Sequence, residues 1–351
     1  MENMSLNEKI NELVVKMAKE PENVENYHQL SELYLQQQDY NKVMSVLDSL
    51  LAIKPDDVQA LVGMGTMWFY ERDFRKSLLY YNKALDVNPK NFLIYYNIGN
   101  VFAEWKNFSK ALFYYNRAID LNSNNPEIYS AIALLYQDIE DYAEAKAYYE
   151  KALSLDPDNL GALIDMGNVC FKLYDYETAL KLFKKVFVLN PDNELIAVCI
   201  ANTLTLMKQK EQAYTYFEKA LSMTDDKYRI YICYAISKSE FKEFDKAEQI
   251  YKEAIEFDPK KSNAYLLLAN LYSNSGKQQE AIDLYKKALQ VEPNNPETFT
   301  LLGNAHYLNN DIEQAILSYR ASITLAPDND EYRLIYSQVM DDYVNSVREA
   351  K

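Results

Sequence analysis

Glycine and proline are scarce in this chain of 351 residues, with seven and ten copies, and histidine and cysteine are rarer still, with two and three. Sheet-rich folds draw their turns from glycine and proline, so this composition argues against a β-sandwich and against long loops. The apolar runs are short as well: the longest, near residues 195–201, has about seven residues, whereas a membrane-spanning helix needs about 20. We therefore expect no membrane span.

Positive charge is in deficit. Lysine and arginine number 37 against 52 aspartate and glutamate, which gives a formal net charge of −15 without a dense basic cluster. Nucleic acids and anionic membrane surfaces are bound through clustered cations, so we expect neither as a partner. A protein segment that is neutral, basic or apolar fits this charge better. The N-terminal sequence lacks the basic start, apolar core and cleavage site of a secretory signal, and the few cysteines agree with the cytoplasmic location that we expect.

The residues that commonly carry catalysis are almost absent. His28 and His306 lie far apart in the sequence, and there is neither a glycine-rich phosphate loop nor a nucleophile elbow. We predict that His306 is packed in a core. Cys170, Cys199 and Cys233 are predicted to be free, partly buried thiols, since neighbouring helix axes about 8–10 Å apart do not suit a disulfide. We therefore expect no enzyme, no catalytic residues, no metal site and no cofactor.

What the sequence does contain is a period of 34 residues. Eight of the ten prolines recur at this spacing or a multiple of it: Pro21, Pro55, Pro89, Pro157, Pro191, Pro259, Pro293 and Pro327. Nine segments of equal length follow one another without insertion or deletion: 24–57, 58–91, 92–125, 126–159, 160–193, 194–227, 228–261, 262–295 and 296–329.

Each segment repeats one pattern of small and large residues. Position 8 is always small and includes four of the seven glycines, position 20 is alanine in seven segments, and position 24 is always large and apolar or aromatic. Positions 4, 7, 8 and 11 share one face of a helix, and positions 20, 24 and 27 share one face of a second. Asp141 and Asp311 are predicted N-caps of second helices. Each segment is therefore predicted to be a helix–turn–helix hairpin whose small residues let the two helices approach closely.

This pattern resembles the tetratricopeptide repeat (TPR) family: the small eighth residue, the aromatic twenty-fourth and the stretch YAEAKAYYEKALSLDPDN at 142–159 all match it. The resemblance implies an all-α fold, an α-solenoid whose hairpins stack into a right-handed superhelix. It also implies a concave groove lined by the first helix of each repeat at positions 2, 5, 9, 12 and 13. Residues 1–23 and 330–351 are predicted to be single capping helices, because a stacked array needs covered ends. The C-terminal helix has an alternative interpretation as a face for self-association.

Asparagine and aromatic residues recur on the predicted groove face. Five segments have asparagine at position 9: Asn100, Asn168, Asn202, Asn270 and Asn304. An asparagine amide both donates and accepts, so such a row suits the backbone of an extended segment; the alternative is that these residues are ordinary for the family or bond within the helix layer. Five aromatic residues occupy positions 5, 12 or 13: Phe69, Tyr70, Tyr96, Phe171 and Tyr307. Their alternative role is packing against an adjacent repeat.

We expect a non-catalytic scaffold or adaptor that binds an extended peptide or partner segment in the groove. Two alternatives stay open: an accessory subunit that recruits substrates in trans for an enzyme such as a glycosyltransferase, and a self-assembling structural protein. A clamp for a partner's C-terminal carboxylate, as some TPR adaptors have, needs lysine at position 5, and no segment has one. A weak joint is predicted near residues 222–240, because repeats six and seven depart from the pattern together: Asp225 replaces the periodic proline, Ala197 is small at position 4 and Lys238 is polar at position 11. The alternative is compensation by the neighbouring Tyr228, Tyr231 and Tyr234.

Overall fold

Every regular element in residues 5–349, the part of the chain that this computed structural model describes, is an α-helix. The chain divides into two units, Met1–Asp175 and Tyr176–Lys351. Unit 1 contains α1 Leu6–Lys19, α2 Val24–Gln36, α3 Tyr40–Ile53, α4 Val58–Tyr70, α5 Phe74–Val87, α6 Phe92–Glu104, α7 Phe108–Leu121, α8 Pro126–Asp138, α9 Tyr142–Leu155 and α10 Leu160–Lys172. Unit 2 contains α11 Tyr176–Leu189, α12 Glu194–Leu206, α13 Lys210–Met223, α14 Tyr228–Glu240, α15 Phe244–Phe257, α16 Ser262–Asn274, α17 Gln278–Val291, α18 Pro296–Leu308, α19 Ile312–Leu325 and α20 Asp330–Glu349.

The helices begin where short polar side chains can cap them. Asp141 accepts a hydrogen bond from the backbone N–H of Glu144 at 3.2 Å, and Asp311 accepts one from Gln314 at 3.4 Å, which confirms both predicted N-caps. First helices use the same device, as in α10, where the Asn159 side chain accepts from the backbone N–H of Ala162 at 3.0 Å. Because these bonds satisfy N–H groups that no helix can pair internally, each hairpin is delimited by its own sequence.

At Gly65, Gly99 and Gly303, glycine at position 8 leaves room for the tyrosine at position 24 of the same segment. A Cβ added to Gly99 would lie 2.5 Å from ring atoms of Tyr115, and one added to Gly303 would lie 2.7 Å from Tyr319. Tyr115 is 2% exposed and Tyr319 is 3% exposed, so neither ring has room to move away. The helical cost of glycine, about 1 kcal/mol, is thus offset by the burial of a large ring against the helix backbone.

The turn between the two helices of a hairpin places position 15 in the left-handed region. Only Gly276 is glycine there, while eight other residues adopt φ between 56° and 61°: Gln38, Arg72, Lys106, Glu140, Tyr174, Lys208, Lys242 and Asn310. In several hairpins this residue reaches the next first helix, as in the pairs Lys106–Asp138 at 2.8 Å and Lys208–Glu240 at 3.2 Å. The left-handed conformation costs a non-glycine residue about 1–2 kcal/mol, so the turn is imposed by the packing of the helices that it joins.

Tyrosine at position 4 ties the first helix to the linker before it. The hydroxyl of Tyr27 donates to the carbonyl of Pro21 at 3.0 Å, and that of Tyr129 donates to the carbonyl of Ser123 at 2.9 Å. Tyr95 and Tyr265 make the corresponding bonds to prolines six residues earlier. This repeated bond accounts for part of the unusual tyrosine content, 31 residues in all.

The first and last helices pack on their neighbouring hairpins. Ile10 and Leu13 of α1 are buried in the same cluster as Tyr27 and Leu30 of α2. Val339 of α20 is 6% exposed and lies in a cluster with Ala315 and Tyr319 of α19. Both contacts bury apolar faces that a terminal hairpin would otherwise expose.

The region predicted to be a weak joint contains buried polar contacts. Lys238 is only 7% exposed, with its ammonium 3.5 Å from the Glu243 carboxylate and 3.3 Å from the centre of the Tyr214 ring. The Tyr228 hydroxyl accepts the backbone N–H of Ala264 in α16 at 3.1 Å. Lys238 is therefore buried although it is charged, because a carboxylate and aromatic rings accompany the charge into the core, and the weak joint stays a prediction.

Candidate functional site

A depression of about 570 Å³ lies on the first-helix face of unit 1. Its walls come mainly from α6, α8 and α10, and three of the ten residues predicted for the groove line it: Phe69, Tyr96 and Asn100. The space exists because the residues between the walls are small, namely Ala103, Ser130, Ala131 and Gly161. A concavity of this size, with aromatic and amide groups at its edge, is within the range of natural binding sites.

Most of the charge around this depression is negative. Glu104, Glu127, Asp138 and Asp165 line it together with a single ammonium, that of Lys106. Lys106 pairs with Asp138 at 2.8 Å, and Arg72 lies 3.7 Å from Glu104.

The other two carboxylates lack such partners. Asp165 has neither an ion pair nor a side-chain hydrogen bond among residues 5–345, and burial raises its pKa. Glu127 likewise has no cation partner in that range, and its charge helps to raise the pKa of the Tyr96 hydroxyl, which burial raises most. Each of these two carboxylates is therefore available to a positive charge from outside the chain.

The predicted asparagine row divides into two kinds. In three segments the position-24 tyrosine hydroxyl donates to the asparagine carbonyl of the same segment: Tyr115 to Asn100 at 2.7 Å, Tyr285 to Asn270 at 2.5 Å and Tyr319 to Asn304 at 2.7 Å. Burial raises the pKa of the Tyr285 and Tyr319 hydroxyls to about 12, which keeps them protonated as donors. These asparagines therefore have a role within the helix layer, as the alternative interpretation held, and the Asn100 side chain also hydrogen-bonds the Tyr96 hydroxyl.

Asn168 and Asn202 lack this tyrosine, because position 24 of their segments is phenylalanine. Asn168 is exposed and lines a smaller depression of about 280 Å³ with Tyr142 and Lys172. Asn202 is half-buried, and its side chain hydrogen-bonds Cys233, which partly opposes the rise in the thiol's pKa caused by burial. Asn168 is thus the member of the row whose amide is most exposed for a partner.

The remaining predicted aromatic residues lie apart from the 570 Å³ depression. Tyr70 is 64% exposed, and its ring centre lies 6.3 Å from that of Tyr40. Phe171 is half-buried in α10. In unit 2 the Tyr307 hydroxyl donates to Asp342 of α20 at 3.0 Å, so the C-terminal helix occupies that hydroxyl.

The three most informative residues of the depression were not predicted: Glu127, Gly161 and Asp165. Gly161 and Glu127 occupy position 2, one of the positions that the TPR resemblance assigns to the groove, although neither residue was named as a candidate, and Asp165 occupies position 6. A signal existed for Gly161, since it is a glycine away from position 8. No periodic signal marks a carboxylate that lacks a partner, because that property depends on side chains from several helices.

The cysteines and histidines lie on separate helices: Cys170 in α10, Cys199 in α12, Cys233 in α14, His28 in α2 and His306 in α18. Burial raises the pKa of the Cys170, Cys199 and Cys233 thiols, all three of which are free. His306 is 5% exposed, as predicted, and His28 is 8% exposed. The described residues contain no group of His, Cys, Asp and Glu that could hold a metal ion. Within the same residues, no helix has the length and apolar character to span a membrane.

Family models described as tetratricopeptide repeat match six stretches of the sequence: 24–57, 92–125, 126–159, 200–227, 250–283 and 296–329. A further model, described as TPR repeat, matches residues 270–310. The chain belongs to the tetratricopeptide repeat family. Its all-α fold of stacked hairpins is the one that the sequence predicts for a TPR protein.

Solved structures with the same fold share little sequence with this TPR protein. A tetratricopeptide repeat protein from Parabacteroides merdae is 18% identical with a TM-score of 0.58, over 71% of this chain and 98% of that one. Yeast Tom70 is 18% identical with a TM-score of 0.56, over 97% of this chain and 93% of that one. PilF of Pseudomonas aeruginosa is 19% identical with a TM-score of 0.52, over 62% of this chain and 96% of that one. A comparison with curated proteins gives no match.

Proposed function

We propose that this TPR protein is a scaffold that holds an extended segment of a partner protein against the first helices of its repeats. The observation that carries the proposal is the 570 Å³ depression of unit 1, which is built on first helices and is lined by Phe69, Tyr96 and Asn100. The TPR fold is typically a non-enzymatic interaction scaffold. The free side-chain groups in the depression are hydrogen-bond donors, acceptors and aromatic surfaces, which suit binding a peptide without reacting with it.

Asparagine amides suit this role to different degrees. The Asn100 carbonyl already accepts from Tyr115, and the Asn100 side chain also hydrogen-bonds the Tyr96 hydroxyl, so Asn100 offers only a remaining N–H to a peptide carbonyl. Asn168 is exposed and can offer both its carbonyl and its NH₂ group. We therefore assign the stronger backbone contact to Asn168 and a supporting contact to Asn100.

Photo-crosslinking with capture from native lysate tests the proposal. A benzoylphenylalanine placed at Ser130, on the wall of the depression, is expected to crosslink a partner, and Asn168→Ala is expected to lower the yield. The matched control places the same crosslinker at Leu79, which is 52% exposed on the second helix α5. If the partners crosslink from Leu79 but not from Ser130, the segment does not bind the first-helix face.

The same experiment separates the scaffold from an accessory subunit that recruits substrates for an enzyme such as a glycosyltransferase. Both would use the first-helix face, and the identity of the crosslinked partners, one protein or the many substrates of one enzyme, distinguishes them.

Self-association through α20 is a second candidate, favoured by exposed apolar residues on that helix. Leu334 is 57% exposed and Val344 is 38% exposed, while Val339 is buried against α19. Light scattering of the wild type and of Leu334→Asp tests it: the wild type is expected to have the larger mass. Equal masses at the same protein concentration would exclude this face as the contact.

A further inference from the structure

The structure points to a preference for positive charge at the unit 1 depression, and this inference rests on the proposed function. Two carboxylates there, Asp165 and Glu127, have no cation partner among residues 5–345, whereas the neighbouring Asp138 pairs with Lys106. Glu127 is exposed, whereas Asp165 is half-buried. An ionised carboxylate is seldom half-buried without a partner, since desolvation penalises the charge. A cation supplied by the bound segment would remove that penalty.

Gly161 shows that the space beside these carboxylates is not needed by the chain's own packing. A Cβ added there would meet only the Asn159 side-chain oxygen, at 3.5 Å, an ordinary van der Waals distance. Gly99 differs, because a Cβ there would lie 2.5 Å from Tyr115. The fold therefore explains Gly99, while Gly161 leaves an open volume on the first-helix face.

The walls of this volume suit a long side chain with a charged end. Tyr96 and Leu134 provide apolar surface, and Asp165 and Glu127 provide negative charge. Arginine and lysine have an apolar stem and a cationic head, and the planar guanidinium of arginine also packs on aromatic rings. A divalent metal fits less well, since no group of residues in the described chain is able to hold one.

We propose that the depression receives an arginine or lysine side chain of the partner segment, with its cationic group between Asp165 and Glu127 and its stem against Tyr96. The partner is accordingly a segment that carries at least one basic residue within an otherwise adaptable sequence. The formal net charge of −15 favours the approach of such a segment over an acidic one.

Fluorescence anisotropy with two labelled peptide pools tests this site. Both pools are randomised at the flanking positions; one has arginine at the centre and the other has citrulline, which has the same shape but no charge. Wild-type protein is expected to bind the arginine pool about tenfold more tightly, the size of one partly exposed charge-assisted hydrogen bond. High ionic strength is expected to reduce that difference.

Three variants locate the effect. Asp165→Asn is expected to abolish the preference for arginine. Gly161→Leu is expected to weaken the binding of both pools, because the leucine side chain fills the open volume. Asp86→Asn makes the same change of charge at an exposed site of α5 and is expected to bind as the wild type does. Circular dichroism of each variant checks folding, and Asp165→Asn decides the question if Gly161→Leu is unstable.

The outcomes separate this inference from the proposed function. Equal binding of the two pools by wild-type protein, or an arginine preference that persists in Asp165→Asn, overturns the cation site and leaves segment binding standing. Failure of both pools to bind overturns the cation site, and the photo-crosslinking result then decides segment binding on its own.

Discussion

Two half-buried carboxylates have opposite environments: Glu243 at the N-cap of α15 and Asp165 in α10. Glu243 in unit 2 is contacted by Lys210, by Lys246 at 3.3 Å and by the buried Lys238 at 3.5 Å. The Lys210 hydrogen bond is the main reason that the pKa of Glu243 falls to about 2. Asp165 in unit 1 has no cation partner among residues 5–345, and burial raises its pKa. The acidic composition therefore contains carboxylates that hold the fold and carboxylates that are free for a partner, and only their neighbours distinguish them.

The largest expected effect comes from removing the carboxylate that holds the fold. Glu243→Gln leaves the buried Lys238 charge without its carboxylate partner, and we expect a loss of about 3 kcal/mol in the free energy of unfolding. Urea unfolding followed by circular dichroism measures it. Asp165→Asn is the matched change in unit 1 and is expected to leave the free energy of unfolding unchanged or raise it, because that charge has no partner to lose. Equal destabilisation by the two variants would contradict the comparison.

Lowering the pH changes the contributions of Glu243 and Asp165 to stability in opposite directions. The folded-state pKa of Glu243, about 2, lies below its ordinary value of 4.5, so its contribution is fully present above pH 4.5 and is lost as the pH falls toward 2. The pKa of Asp165 is raised above its ordinary value of 3.8, so protonation in this range relieves a penalty and acts in the opposite direction.

We therefore expect the free energy of unfolding to depend less steeply on pH in Glu243→Gln than in the wild type. In Asp165→Asn the dependence should be steeper, since the opposing contribution is gone. Urea unfolding repeated across the acid range gives these slopes. A Glu243→Gln slope equal to that of the wild type would show that the lysines do not hold this carboxylate in the folded state.

The asparagine row provides a smaller test. Asn100→Ala leaves the buried Tyr115 hydroxyl without its acceptor, and we expect a loss of about 2 kcal/mol. Tyr115→Phe removes the hydroxyl itself, so no buried donor is left unpaired, and we expect a smaller loss of about 1 kcal/mol. Asn168→Ala, with no tyrosine at position 24 of its segment, is the control and should change stability by less than about 0.5 kcal/mol. Thermal unfolding of the three variants measures this order, and a large loss in Asn168→Ala would reverse the division of the row.

Repetition explains why the fold could be predicted from the sequence. Each hairpin is specified by local spacing, and the close approach predicted at position 8 is found at Gly99, where a Cβ would lie 2.5 Å from Tyr115. Lys106 and Tyr174 at position 15 differ in chemistry, yet both adopt φ near 60° because the helices on either side impose this conformation. The turn conformation therefore has no signature in residue type.

The site was less predictable because its properties arise between segments. The asparagine row was visible as a pattern, but whether each amide is committed depends on the residue fifteen positions later, which is tyrosine after Asn100 and phenylalanine after Asn168. The exposure of Asp165 to an open volume depends on small residues of α6 and α8. No single segment contains the information that defines the site.

The smallest effect concerns how a first helix begins. In unit 1, α10 is capped by its own Asn159, whereas α16 in unit 2 has no side-chain cap from Lys261 and instead gives the N–H of Ala264 to the Tyr228 hydroxyl of the preceding segment. Tyr228→Phe keeps the ring and removes only that acceptor, so we expect a loss of about 1 kcal/mol, as for a deleted N-cap. Hydrogen exchange should show the Ala264 amide opening faster in this variant.

Tyr265→Phe is the control for that measurement, since the Tyr265 hydroxyl bonds the exposed carbonyl of Pro259 and caps no helix. It should leave the exchange of Ala264 unchanged. If Tyr228→Phe also leaves it unchanged, the start of α16 is held by its own backbone and not by the preceding repeat. If the exchange accelerates, the cap passes from one repeat to the next, and the region around α14 that the sequence predicts to be a weak joint instead stabilises its neighbour.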